Sequence, residues 1–232
     1  MQKLWQAITG AALALVALSA VGCSAPNIPM QPATGVVKDY RTASPTAVVR
    51  SLTTQATANA QPKKVNVYAD GMVAVTGLPH FQQGNDRTCA QSNIASLMNY
   101  WGKDASYQGV VKEMNPSNLP TDVNNVTKYL RGKGLAAQDY RLATLNFLKK
   151  QINEGKPTLV LMDFGSLATE HYVTIKGYNE KTRELLYNDP VDGPNMLVSY
   201  EAFENMWQNR SLAAVPGFGA KYNRIAFDVA VK

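Results

Sequence analysis

Four residues of this chain, Gln83, Cys89, His171 and Asp189, have the types and the order of a thiol hydrolase. Cys89 opens an apolar segment with helical spacing, CAQSNIASLMNYWG, and Gln83 lies six positions before it. His171 opens the hydrophobic run HYVTIKGY, and Asp189 follows eighteen residues later within YNDP. A cysteine at a helix N-terminus sits where the helix dipole favours thiolate, the nucleophilic form. An imidazole can take the thiol proton, and a carboxylate can orient the imidazole. A loop glutamine six residues upstream can fold back so that its amide and the cysteine N–H converge on one developing oxyanion.

Residues 78–203, which carry this set, resemble the papain-like cysteine peptidases of the bacteriocin-processing type, which remove double-glycine leader peptides. That family has a Gln six residues before a Cys at a helix start, matched here by Gln83 and Cys89. It has a His opening a strand and an Asp-Pro after the next strand, matched by His171 and Asp189-Pro190. Its closing Ser/Tyr-x-x-Phe-x-x-x-Trp helix is matched by Tyr200, Phe203 and Trp207. The resemblance implies an α+β papain-like fold, with Cys89 as nucleophile, His171 as base, Asp189 as orienter and Gln83 as oxyanion donor. After the nucleophile the chain has Ala90-Gln91, where the family commonly has Gly or another small or aromatic residue. The resemblance does not extend to the exporter domains of the bacteriocin transporters.

Each role has rivals. His80 is the other histidine, but it lies too near Gln83 in sequence to form the opposite wall of a cleft. Asn188, Asp192 and, more distantly, Asp163 compete with Asp189 as orienter. Asp86 is given no role, and Asn93 reads as a packing residue one turn after Cys89. Tyr100, Trp101 and Trp207 read as core. Two histidines, two cysteines and no CxxC or HExxH spacing point away from a metal site, and no cofactor is expected.

The first residues read as targeting sequence. Lys3 precedes an apolar run over residues 8–21, too short for an ordinary membrane span, which ends in Ala20-Val21-Gly22-Cys23. This resembles a secretory signal peptide with a bacterial lipobox, implying a lipidated Cys23 as the mature N-terminus. Ser24 after it favours the periplasmic face of the outer membrane. An acylated Cys23 cannot pair with Cys89, so Cys89 reads as an unpaired thiol in an exported protein, where such thiols are usually avoided unless used. Residues 23–64 are rich in Pro, Ala, Thr, Ser and Gln and read as a tether, with a short helix at 45–52. The organisation expected is therefore signal peptide 1–22, tether 23–64 and one catalytic domain 65–232. The net charge of +6 is dispersed, without the basic stripe that nucleic acid requires.

Alternation around Asp70-Gly71 predicts a hairpin over 65–75. Helices are expected from Cys89 to a Gly102 stop, around Val110–Met114, over 121–130 with Thr121 or Ser117 as cap, and through Leu145, Leu148 and Ile152. The first of these should be amphipathic and central. Strands are expected at 137–142, 158–162, 171–178, 184–187 and 225–231, with a short helix at 201–207. Helices followed by a mostly antiparallel sheet is the α+β order.

The function expected is a membrane-tethered cysteine endopeptidase of the bacterial envelope, with an exported polypeptide or leader as substrate. Two other classes fit part of the sequence. One is a cell-wall or acyl-transfer thiol enzyme, whose Asp-Cys-Ser-Gly-like motif Thr88-Cys89-Ala90-Gln91 does not match. The other is a non-catalytic peptide-binding module, a state in which relatives usually lose the Cys or His retained here.

Overall fold

The computed structural model describes residues 64–84, 87–163, 170–208 and 223–232. The segments read as signal peptide and as tether with a short helix, apart from Lys64, together with Cys23 and Asp86, lie outside them. Among the described residues the chain runs as β1 (Val65–Val67), β2 (Met72–Val75), α1 (Cys89–Tyr100), α2 (Tyr107–Met114), α3 (Val123–Gly132), β3 (Leu135–Tyr140), α4 (Leu145–Asn153), β4 (Thr158–Asp163), β5 (Glu170–Asn179), β6 (Glu184–Asp189), β7 (Gly193–Ser199), α5 (Tyr200–Met206) and β8 (Ala226–Val231). It is an α+β fold. No helix among the described residues is long and apolar enough to cross a membrane.

The eight strands form one antiparallel sheet in the order β1-β2-β5-β4-β8-β3, with β6 leaving the path to pair with β5 and β7. The ten-residue β5 is the hub. It pairs with β4 along its first half and with β2 and β6 along its second. Gly177 stands at that junction, where a Cβ would come within 3.0 Å of both the Ala74 side chain and the Val73 carbonyl. The register with β6 shifts once, between Ile175 and Gly177, an irregularity of the kind that re-aims strands near functional sites. Gly71, at φ +94°, turns the β1–β2 hairpin as its Asp-Gly pair predicts.

α1 packs on β5 in the centre of the core, but its polar residues do not face water. Every residue of the helix except Asn99 is buried. The polar ones are bonded instead: Gln91 Nε2 donates to Thr121 Oγ1 (2.8 Å), Ser92 to the Phe81 carbonyl, and Ser96 to the Ser92 carbonyl (3.2 Å). The expected amphipathic helix is therefore wrapped on all sides, at no cost in unmet hydrogen bonds for these donors. Phe203 and Trp207 are wholly buried, and the Trp207 indole donates to the Ile225 carbonyl (2.9 Å).

Three local expectations are corrected. The cap of α3 is Asp122, whose carboxylate accepts from the Asn124 N–H (2.8 Å), because Thr121 is already engaged by Gln91. β3 ends at Tyr140 because Leu142 has φ +58° and is 59 % exposed, a conformation no strand residue adopts. β7 was not anticipated at all.

Candidate active site

Cys89 is the first residue of α1 and has no exposed surface. The preceding Thr88 holds the N-cap position at φ −114° and ψ 16°, without a side-chain cap bond. Cys89 is disulfide-bonded in this structure. The unpaired thiol read from the sequence is therefore not the form seen, and nucleophilic chemistry belongs to the reduced protein.

His171 and Asp189 meet directly. Their carriers, β5 and β6, are paired strands, and both side chains are almost wholly buried. His171 Nε2 lies 2.9 Å from Asp189 Oδ1. A carboxylate accepts, so Nε2 carries the proton, and in the neutral ring the buried Nδ1 holds the lone pair. The same Oδ1 accepts from the N–H groups of Val191 (2.7 Å) and Asp192 (3.2 Å). Burial pushes the Asp189 pKa up. The His171 bond and charge and the two backbone donors outweigh it, so the carboxyl titrates below its ordinary range.

The rival orienters are placed elsewhere. Asn188 Oδ1 accepts from the Asn195 N–H (3.1 Å). Asp163 is paired across the sheet with Glu170, while His171 faces Met162. Asp192 gives its N–H to Asp189, and burial together with the Asp189 charge raises its own pKa.

The loop that carries Gln83 is laced onto the turn after Asp189. His80 Nε2 donates to the Asp189 carbonyl (2.8 Å), Gln82 Nε2 to the Val191 carbonyl, and the Gln83 N–H to the Pro190 carbonyl (2.9 Å). His80, considered above only as a rival base, thus holds the backbone of Asp189. The sequence carries no signal for that role.

Asn93 joins the nucleophile's helix to the histidine's strand. Its Nδ2 donates to the carbonyls of Cys89 and of Tyr172, each at 2.8 Å. Its Oδ1 accepts from Thr174 Oγ1 at 2.6 Å. One amide therefore fixes the first turn of α1 against the residue that follows His171, and the packing role read from sequence becomes a positional one. Asn93→Ala is expected to lower stability by about 2–4 kcal/mol, because it strands a buried hydroxyl and weakens two buried carbonyls. Urea denaturation of the reduced protein measures this, and a change under 1 kcal/mol would contradict it.

The structure brings His171 and Asp189 together and links the segments that carry Gln83 and Cys89 to them. A histidine–carboxylate pair is joined to the Gln83 loop by the Asp189–Val191 turn, and to the cysteine helix by Asn93. Among the described residues no group of His, Cys, Asp and Glu is clustered to hold a metal ion.

The model of the Peptidase C39-like family matches residues 75–215, more than half of the chain. Among solved structures, the chain is similar to a double-glycine motif protease from an AMS/PCAT transporter in complex with the leader peptide. The identity is 21%, over 68% of this chain and 95% of that one, with a TM-score of 0.51. It is also similar to the peptidase domain of Streptococcus ComA, a bi-functional ABC transporter of a quorum-sensing pathway (17%, 67% and 100%, TM-score 0.52). A C39-like peptidase from Bacillus anthracis is a third (18%, 69% and 98%, TM-score 0.52). At these identities the likeness is one of fold. No curated protein sequence matches the chain.

Proposed function

The chain belongs to the Peptidase C39-like family, a family of cysteine peptidase domains, and on that premise we propose a lipid-tethered cysteine endopeptidase of the bacterial envelope that cleaves an exported polypeptide or its leader. The observation that carries the chemistry is the buried His171–Asp189 bond of 2.9 Å, on a strand fastened by Asn93 to the turn of Cys89. In the reduced enzyme the Cys89 proton passes to His171 Nδ1. The thiolate attacks the peptide carbonyl and forms the C–S bond. The Gln83 amide and the Cys89 N–H receive the oxyanion. Collapse breaks the C–N bond, and His171 returns the proton to the leaving amine. Water then hydrolyses the thioester and restores the thiol.

A neighbour solved with a leader peptide supports a polypeptide as substrate. The tether rests on the Ala20-Val21-Gly22-Cys23 sequence, which lies outside the described residues. The chain has two cysteines, so a thioether-acylated Cys23 and a disulfide between the two exclude each other. The mature protein purified from membranes is therefore expected to show the mass of a diacylglyceryl cysteine and a Cys89 that a thiol reagent labels without prior reduction. A water-soluble product lacking the lipid mass would remove the tether. In a non-acylated chain, labelling and activity should both require a dithiol reductant.

The function itself is tested by comparing protein N-termini in envelopes that carry the parent enzyme or Cys89→Ala. New N-termini that depend on Cys89 would identify the substrate. Identical sets, combined with release of muropeptides from purified sacculi, would favour the wall-hydrolase class instead.

A further inference from the structure

The hydroxyl of Tyr107, the first residue of α2, bonds the residue after Gln83 and the residue before Cys89. It accepts from the Gly84 N–H at 2.9 Å and lies 2.8 Å from Thr88 Oγ1. Gly84 follows Gln83, and Thr88 precedes Cys89. Tyr107 is itself buried, at 7 % exposure. One phenolic oxygen therefore closes the loop between the glutamine and the nucleophile.

Thr88 adds a second observation. A threonine at the N-cap normally turns its hydroxyl onto the N–H of the second or third helical residue. Here those residues are Ala90 and Gln91, and Thr88 makes no such bond. Its hydroxyl is held by Tyr107 instead, and the threonine forgoes a contact typically worth about 1 kcal/mol. The Thr88 oxygen therefore does not occupy the N–H groups at the positive end of α1, where negative charge is favoured.

We propose that Tyr107 is a positioning residue for the oxyanion pocket, setting the separation and aim of Gln83 relative to the Cys89 N–H through its bonds to Gly84 and Thr88. This rests on the reading of Gln83 and Cys89 as oxyanion donors. Tyr107 touches no reacting atom. Its hydroxyl acts on transition-state stabilisation and leaves thiolate formation by His171 unaffected.

Two probes of the reduced full chain separate those steps. Iodoacetamide alkylates the thiolate by displacement of iodide, and no oxyanion forms. Acetyl-glycyl-glycinal forms a hemithioacetal: the thiol proton passes to His171, the sulfur bonds the aldehyde carbon, and the carbonyl pair moves to oxygen, which sits in the oxyanion pocket as the anion or takes that proton back. Tyr107→Phe is expected to weaken inhibition by the aldehyde about 10- to 100-fold, less than the roughly 100- to 1000-fold cost of losing a whole donor. The iodoacetamide rate should stay within about twofold of the parent. Thr88→Val should reproduce this pattern, and Thr88→Ser should restore parental aldehyde affinity. Adding Tyr107→Phe to Gln83→Ala should cost little more than Gln83→Ala alone. Parental aldehyde affinity in Tyr107→Phe, or a parallel fall of both readouts, would overturn the proposal. If Gln83→Ala leaves the aldehyde affinity unchanged, the oxyanion reading itself fails and the proposal falls with it. If iodoacetamide alkylation is independent of His171, the fault lies in the reading of the base.

Discussion

In the reduced protein, Cys89→Ala and His171→Ala should each lower turnover of a peptide substrate by roughly 10^4- to 10^6-fold, and the double variant should fall no further. The reason is that nucleophile and base act as one unit. Without His171 the thiol keeps its proton at neutral pH, and the leaving amine has no acid. Without Cys89 the imidazole has nothing to activate. Additive losses in the double variant would mean that the two residues serve separate steps. The structure gives a further discriminating measurement. His171 is fixed by Asp189 on one nitrogen, and its strand is fastened to α1 through Asn93. His171→Ala should therefore slow iodoacetamide alkylation of Cys89 at pH 7, and it should also lower the unfolding midpoint because it strands the buried Asp189 carboxylate, so alkylation is compared where both proteins are folded. Parental alkylation in that variant would make Cys89 an inert core thiol.

The parts of this site that were legible in the sequence are those that local patterning exposes. Ile94, Leu97 and Met98 recur at helical spacing after Cys89, and all are buried in α1. The apolar runs after Pro157 and from His171 became the paired β4 and β5. The cross-connections were not legible, because they join residues far apart in the chain. His80 to Asp189, Asn93 to Tyr172 and Thr88 to Tyr107 are bonds of small polar groups, for which periodicity offers no sign. β7 escaped for a different reason. Gly193, Pro194 and Asn195 punctuate its start, Asn195 has φ +62°, and the register with β6 shifts at the same place. Turn chemistry and strand occupy the same residues there, and only the pairing with β6 decides between them. The disulfide state of Cys89 was not legible either, since acylation of Cys23 and pairing of the two cysteines start from one sequence.

Asp189 is the residue whose replacement should affect both catalysis and stability, with effects of definite sign. Asp189→Ala leaves His171 buried without its carboxylate, so turnover should fall by about 10^4-fold, the scale set by losing the orienter of a triad. Asp189→Asn keeps an oxygen that can accept from Nε2 but loses the charge that stabilises imidazolium. It should retain more activity than Ala, as papain's own asparagine at that position suggests. Equal losses would show that charge, not orientation, is what His171 draws from the site. The stability effect follows from the lowered pKa. The unfolded carboxyl titrates near 3.8, and the folded one below that value. A depressed folded pKa contributes stability that is fully present above 3.8 and is lost as pH falls from there through the folded value. Between pH 5 and pH 3 the urea midpoint of the parent should therefore drop further than that of Asp189→Asn. The raised pKa of Asp192 provides an internal check. Burial and the Asp189 charge hold it up, so removing that charge should let Asp192 titrate lower, a shift that carboxyl NMR reads directly. If Asp189→Ala keeps near-parental turnover while Asp192→Ala loses it, the orienter is Asp192, and the 2.9 Å bond between His171 and Asp189 is structural only.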